Sequence, residues 1–120
     1  CYVARMGNRM VGWLLTMRPT LPPGTSFLWQ IGVDPYLRGS GVAGRLLQRL
    51  ETDLRRQKVE RIELTIDPDN IPSIRFFEKN GFRNRSENES DLVARVNGFP
   101  AVVDFYGPGR HFLVMEKFLT

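Results

Sequence analysis

Two periodicities divide the chain. From Val59 to Ile66, Ile62, Leu64 and Ile66 alternate with Arg61, Glu63 and Thr65, the two-residue repeat of a strand with one buried face. Upstream, Ala43, Leu46, Leu47, Leu50 and Leu54 recur at three- and four-residue spacing, with Arg45, Arg49, Glu51, Asp53, Arg55 and Arg56 assigned to the opposite face. This pattern predicts an amphipathic helix. Apolar runs at Tyr2–Arg5 and Met10–Arg18, separated by Gly7-Asn8-Arg9, predict an antiparallel hairpin. Ser26–Val33 predicts a third strand, stopped by Asp34-Pro35 because proline donates nothing to a ladder. Pro19, Pro22, Pro23 and Gly24 predict a loop before it.

Strand, helix and strand in that order require a crossover, so Phe27–Val33 and Arg61–Ile66 are expected to run parallel. Asp67-Pro68-Asp69-Asn70 ends the second of them. Asp69 or Asn70 can cap a helix with Pro72 in its first turn, running to Asn80 and closed by Gly81 at the position past its end. Asp91–Val96 reads as a short helix or a strand. Ala101–Tyr106 and His111–Phe118 read as paired strands around Gly107-Pro108-Gly109-Arg110. The fold class expected is α+β: a mixed, mostly antiparallel sheet with a central parallel pair and flanking helices.

Composition adjusts this picture only slightly. At 120 residues, with 42% hydrophobic and 25% charged residues, the chain is expected to form one domain over residues 1–120. It has no apolar run long enough to span a membrane and no secretory leader pattern, and its single cysteine, Cys1, provides neither an internal disulfide nor a cysteine zinc site. A cytoplasmic location with no membrane partner and no metal is therefore the expectation. The net charge of +4 is modest and its arginines are spread out, so a phosphate-bearing small ligand is favoured over nucleic acid. The two Asn-x-Ser sequons, at Asn84 and Asn88, are read as chance.

The chemistry concentrates at Arg38-Gly39-Ser40-Gly41-Val42-Ala43-Gly44. A helix opening on a glycine-rich loop presents unpaired backbone N–H groups and the positive end of its dipole, which suits a phosphate or pyrophosphate. Two readings follow. Gly39-x-Gly41-x-x-Gly44, with Glu63 about twenty residues on as the ribose acid, matches a dinucleotide fingerprint and would imply oxidoreduction with NAD. Against it, five residues separate strand from loop and the chain opens with antiparallel strands.

The second reading takes Arg38-x-x-Gly41-x-Ala43, preceded by Val33-Asp34-Pro35 and followed by Asn70-x-x-Ser73-x-x-Phe76-Phe77-Glu78-Lys79-Asn80-Gly81-Phe82. These segments resemble the pyrophosphate loop and the asparagine-led helix of the GNAT superfamily of N-acetyltransferases. The segment Phe105–Gly109 with Leu113–Lys117 is similar to that family's closing hairpin. The resemblance implies an acyl-CoA N-acyltransferase-like fold and acetyl-CoA as cosubstrate. It implies that Arg38, Gly39, Ser40, Gly41, Val42 and Ala43 hold the pyrophosphate, that the backbone of Ile31, Gly32 and Val33 pairs with the pantetheine arm where the two parallel strands splay, and that Asn70, Ser73 and Phe77 line the cofactor. The family usually has a strand and helices before the opening hairpin, so the resemblance implies a trimmed or incomplete domain here, or a partner chain that supplies the wall those helices form.

The implied reaction is direct attack of a neutral amine, on a small molecule or a protein, with loss of a proton and delivery of one to the thiolate. Many members of the family carry a tyrosine as that acid at the position of Phe77, and phenylalanine cannot donate. Tyr106 is the expected acid, with Tyr36 and His111 as alternatives. Glu63 is the expected base, with Asp67 as its alternative. A non-catalytic CoA-binding module remains the other outcome. Residues 83–100 read as an insertion available to shape the acceptor site or a homodimer contact.

Overall fold

The computed structural model describes residues 1–17, 24–37 and 39–119. The expected loop prolines at 19, 22 and 23, and Arg38, lie outside the described residues. Contacts divide the chain into two compact units, Cys1–Ile62 with Phe118–Thr120, and Glu63–Lys117.

In the first unit, β1 (Tyr2–Met6) and β2 (Arg9–Met17) form the expected hairpin, Met6 facing Arg9 across Gly7-Asn8, with Gly7 at φ 63. β2 pairs antiparallel with β3 (Thr25–Val33), and the strand order is β1-β2-β3-β4, with β4 (Arg61–Ile66) beginning in this unit. The register slips between Leu15 and Thr16, so Trp29 and Gln30 together oppose Leu15. That bulge lets Ser26 and Leu28 face the core before it and turns Trp29 and Gln30 outward.

Helix α1 (Val42–Arg56) buries Val42, Leu46, Leu47, Leu50 and Leu54. Val42, not Ala43, heads the buried stripe, and Glu51, expected on the polar face, is 6% exposed with Arg55 at 3.4 Å. The helix crosses β2 closely at Gly12, where a Cβ would come within 2.9 Å of Val42. β3, α1 and β4 form the crossover, and β3 and β4 are the parallel pair.

In the second unit the order continues β4-β8-β5, with β8 (Leu113–Phe118) antiparallel to the two-residue β5 (Arg83–Asn84). Ile62, Leu64 and Ile66 of β4 are buried as the alternation requires. Helix α2 (Ile71–Lys79) ends as its sequence dictates. Gly81 sits at φ 92, its N–H reaches the Glu78 carbonyl, and the Phe82 N–H reaches the Phe77 carbonyl. The rings of Phe77 and Phe82 meet edge to face at 5.1 Å, the apolar contact that accompanies such a helix end.

The expected hairpin of Ala101–Tyr106 with His111–Phe118 does not form. β7 (Phe99–Val102) pairs instead with β6 (Val93–Val96), while Val102 and Phe112 share a single bridge. Asn97 (φ 53) and Gly98 (φ 84) both take left-handed conformations, the geometry of a two-residue turn whose twist matches its strands, so this local turn captures β7. Asp104 at φ 53 then ends any extended run. Asp91–Val96 is therefore strand in its latter part, and the 83–100 segment holds β5, the short α3 (Ser86–Glu89), β6 and the start of β7. The Asn84 side chain is engaged inside the fold, donating to Pro100 and accepting from the Ser86 hydroxyl and N–H.

Candidate functional site

The first unit builds the loop in steps. The Asp34 carboxylate accepts from the Tyr36 N–H at 3.0 Å and pairs with Arg9, which fixes the exit from β3 and leads into a single 3-10 turn at Pro35–Leu37. Ser40 closes that turn, its N–H and hydroxyl both donating to the Leu37 carbonyl. Gly39 (φ 84) and Gly41 (φ 89) then reverse the chain in conformations that side-chain-bearing residues avoid.

Helix α1 starts immediately. No side chain caps it, no acidic residue lies in its first turn, and its first backbone bond runs from Arg45 N–H to the Gly41 carbonyl. The N–H groups of Val42, Ala43 and Gly44 are thus the orphan donors of a helix start, with the dipole behind them. A Cβ built on Gly39, Gly41 or Gly44 meets nothing within 4 Å, so the approach is unobstructed. For Gly44 this removes the physical reason for the third glycine of a dinucleotide fingerprint, which is close helix–strand packing.

The β3 backbone is oriented by its register. The Asp34 N–H donates to the Val11 carbonyl at 2.8 Å, so Asp34 and Val11 are a hydrogen-bonded pair, and the pairs alternate from there. Val33 opposite Gly12 and Ile31 opposite Leu14 are therefore the non-bonded pairs. Their N–H and C=O groups point away from β2. Gly32 lies under the Trp13 ring, where a Cβ would be 2.3 Å from the indole, and Trp13 donates to the Gln30 side chain at 3.2 Å.

The second unit holds the remaining expected residues. Asn70 is the N-cap of α2, its side chain accepting from the Ser73 N–H at a long 3.4 Å, and both residues keep solvent access. Phe77 is 3% exposed between Phe76 and Phe82, so its ring belongs to the apolar core. The Tyr106 hydroxyl lies 2.9 Å from the Thr65 hydroxyl on β4. Its ring is held edge to face by Phe105 and Phe112, with the Arg110 guanidinium over it.

Glu63, two residues before Thr65 on the same face of β4, is paired with Arg85 at 3.3 Å, and Arg85 also binds Glu89 and Glu116. His111 Nδ1 accepts from the Asp104 N–H at 2.9 Å, a fold-supporting role. Tyr36 is 92% exposed. Thr65 was missed in the sequence because a threonine in a strand carries no mark of its partner. Among the described residues no group of three His, Cys, Asp or Glu side chains is placed to hold a metal ion, and no helix is long and apolar enough to cross a membrane.

The sequence model of the Acetyltransferase (GNAT) family matches residues 1–82. L-2,4-diaminobutyric acid acetyltransferase of Marinococcus halophilus is 38% identical over 88 residues, covering 72% of this chain and 51% of that protein. The enzyme of the same name from Halalkalibacterium halodurans is 38% identical over 79 residues, covering 66% of this chain and 42% of that protein. The chain thus spans about half the length of these relatives. Among solved structures, PaiA N-acetyltransferase of Thermoplasma acidophilum in complex with coenzyme A superposes with a TM-score of 0.72 at 16% identity, over 97% of this chain and 58% of that one. The fold and the ordered motifs agree: the chain belongs to the GNAT family of acetyltransferases.

Proposed function

We propose that this chain carries the cofactor-binding part of an N-acetyltransferase that moves an acetyl group from acetyl-CoA to an amine. The observation that carries the proposal is the open start of α1 behind two left-handed glycines, an anion site with no side chain of its own to fill it. In this reading the amides of Gly39 and of Gly41–Ala43, with Arg38, hold the pyrophosphate, the Ser40 N–H being engaged by the Leu37 carbonyl. The outward backbone of Ile31 and Val33, with Gly32 between them, receives the pantetheine arm as an added strand. Asn70 and Ser73 bind further along it, and Phe77 supports them from the core.

The amine attacks the thioester carbonyl as a neutral nucleophile, the Val33 N–H stabilises the oxyanion, and the Tyr106 hydroxyl, held at Thr65, protonates the departing thiolate. Glu63 takes the proton of the amine, releasing Arg85 to do so. The chain's similarity to L-2,4-diaminobutyric acid acetyltransferases makes small diamino acids the first acceptors to try, and peptide amines the second.

A second reading, a CoA-binding module without turnover, is favoured by the burial of Phe77 where an acid is common. The test is thermal shift with acetyl-CoA, coenzyme A and NAD, followed by thiol release across a panel of amines. Stabilisation by both CoA species and thiol release with one amine class is expected. Stabilisation by NAD alone overturns the proposal, and tight CoA binding without acetylation of any amine transfers it to the second reading.

A further inference from the structure

The β6–β7 hairpin has no role in the scheme above, yet its tip is tied to the turn that leads into α2. The Asn97 side-chain amide donates to the Asp69 carboxylate at 2.8 Å and to the Pro68 carbonyl at 3.2 Å. Both partners only accept, so the NH2 of Asn97 must face them, and an aspartate could not take its place. Behind the tip, Arg75 of α2 lies over the Phe99 ring at 5.8 Å, a second tie between hairpin and helix.

The same turn is braced from within by the Asp69 N–H on the Asp67 carboxylate at 2.8 Å and the Asn70 N–H on the Asp67 carbonyl at 2.9 Å. None of these bonds uses the Asn70 side chain. Among the described residues that side chain makes only the 3.4 Å cap to Ser73, at the long end for a hydrogen bond.

We infer that Asn97 is a positioning residue for cofactor binding: it holds the Asp67–Asn70 turn so that the Asn70 side-chain NH2, which the cap to Ser73 does not use, is left available to a ligand at the start of α2. The inference rests on the acetyl-CoA reading of Asn70. It also explains why the tip is Asn-Gly. The turn demands left-handed residues at both positions, and asparagine alone combines tolerance of that conformation with a side-chain NH2 at this reach.

The test uses Asn97→Gly, which keeps the turn and removes the clamp, and Asn97→Asp, which keeps the turn and sets a carboxylate against two acceptors. The dissociation constant for coenzyme A and the KM for acetyl-CoA should rise about three- to tenfold in Asn97→Gly and further in Asn97→Asp, with kcat held within twofold. The double variant Asn97→Gly/Asn70→Ala should bind no more weakly than Asn70→Ala alone, because both act through one amide. Unchanged affinity in Asn97→Gly, or additive losses in the double variant, overturns the inference while leaving the acetyl-CoA reading in place. Absence of coenzyme A binding by the wild-type chain overturns both.

Discussion

Gly41 and Gly44 lie three residues apart at the start of the same helix and should respond to alanine in opposite directions. At Gly41 the backbone is left-handed, φ 89 and ψ 6, and a Cβ meets nothing within 4 Å, so the whole cost is conformational. Forcing an L-residue there costs about 1–2 kcal/mol. At Gly44 the backbone is helical and a Cβ again meets nothing, so alanine removes glycine's entropic penalty and gains about 0.5–1 kcal/mol. The two variants should therefore differ by roughly 2 kcal/mol with no change in packing. Urea unfolding without cofactor reads this directly: the midpoint falls for Gly41→Ala and rises for Gly44→Ala, with the slope m unchanged in both. A Gly41→Ala protein as stable as wild type refutes the left-handed loop. A destabilised Gly44→Ala would mean that the helix packs closely there, as a dinucleotide fold requires.

Tyr106→Phe keeps the ring contacts with Phe105 and Phe112 and should lower kcat about a hundredfold while leaving coenzyme A affinity intact; a change under threefold in steady-state assays removes Tyr106 as the acid. Phe77→Ala should cost about 3–5 kcal/mol in urea unfolding, because a ring that is 3% exposed and anchors the end of α2 leaves a cavity; a loss below 1 kcal/mol contradicts its place in the core. Glu116→Ala should cost about 1–3 kcal/mol, since the 3% exposed carboxylate lies 3.6 Å from Arg85, whose side chain is only 16% exposed and loses one of its carboxylate partners; calorimetry showing no loss would reduce the cluster to a surface feature.

Local chemistry made much of this legible in the sequence. The β1–β2 hairpin, the stripe of α1, the alternation of β4 and the glycine-closed end of α2 each follow from residues within a few positions of one another, so periodicity and turn preference suffice. The loop at residues 39–43 was legible for the same reason: left-handed backbone and an uncapped helix start are local properties of glycine spacing. What failed depended on competition between distant segments. Ala101 and Val102 could pair with either neighbour, and the Asn97-Gly98 turn claimed them because a two-residue loop closes at less entropic cost than the longer one around Gly107.

The sequence by itself determined the elements as far as α2, the family motifs and the glycine-led, uncapped start of α1. Tertiary structure alone decided which side chains are occupied: Glu63 by Arg85, Phe77 by Phe82, the Tyr106 hydroxyl by Thr65, and the Asp69 turn by Asn97. A residue's type sets what it can bond. Which partner it finds depends on chain closure over tens of residues, and no local pattern encodes that.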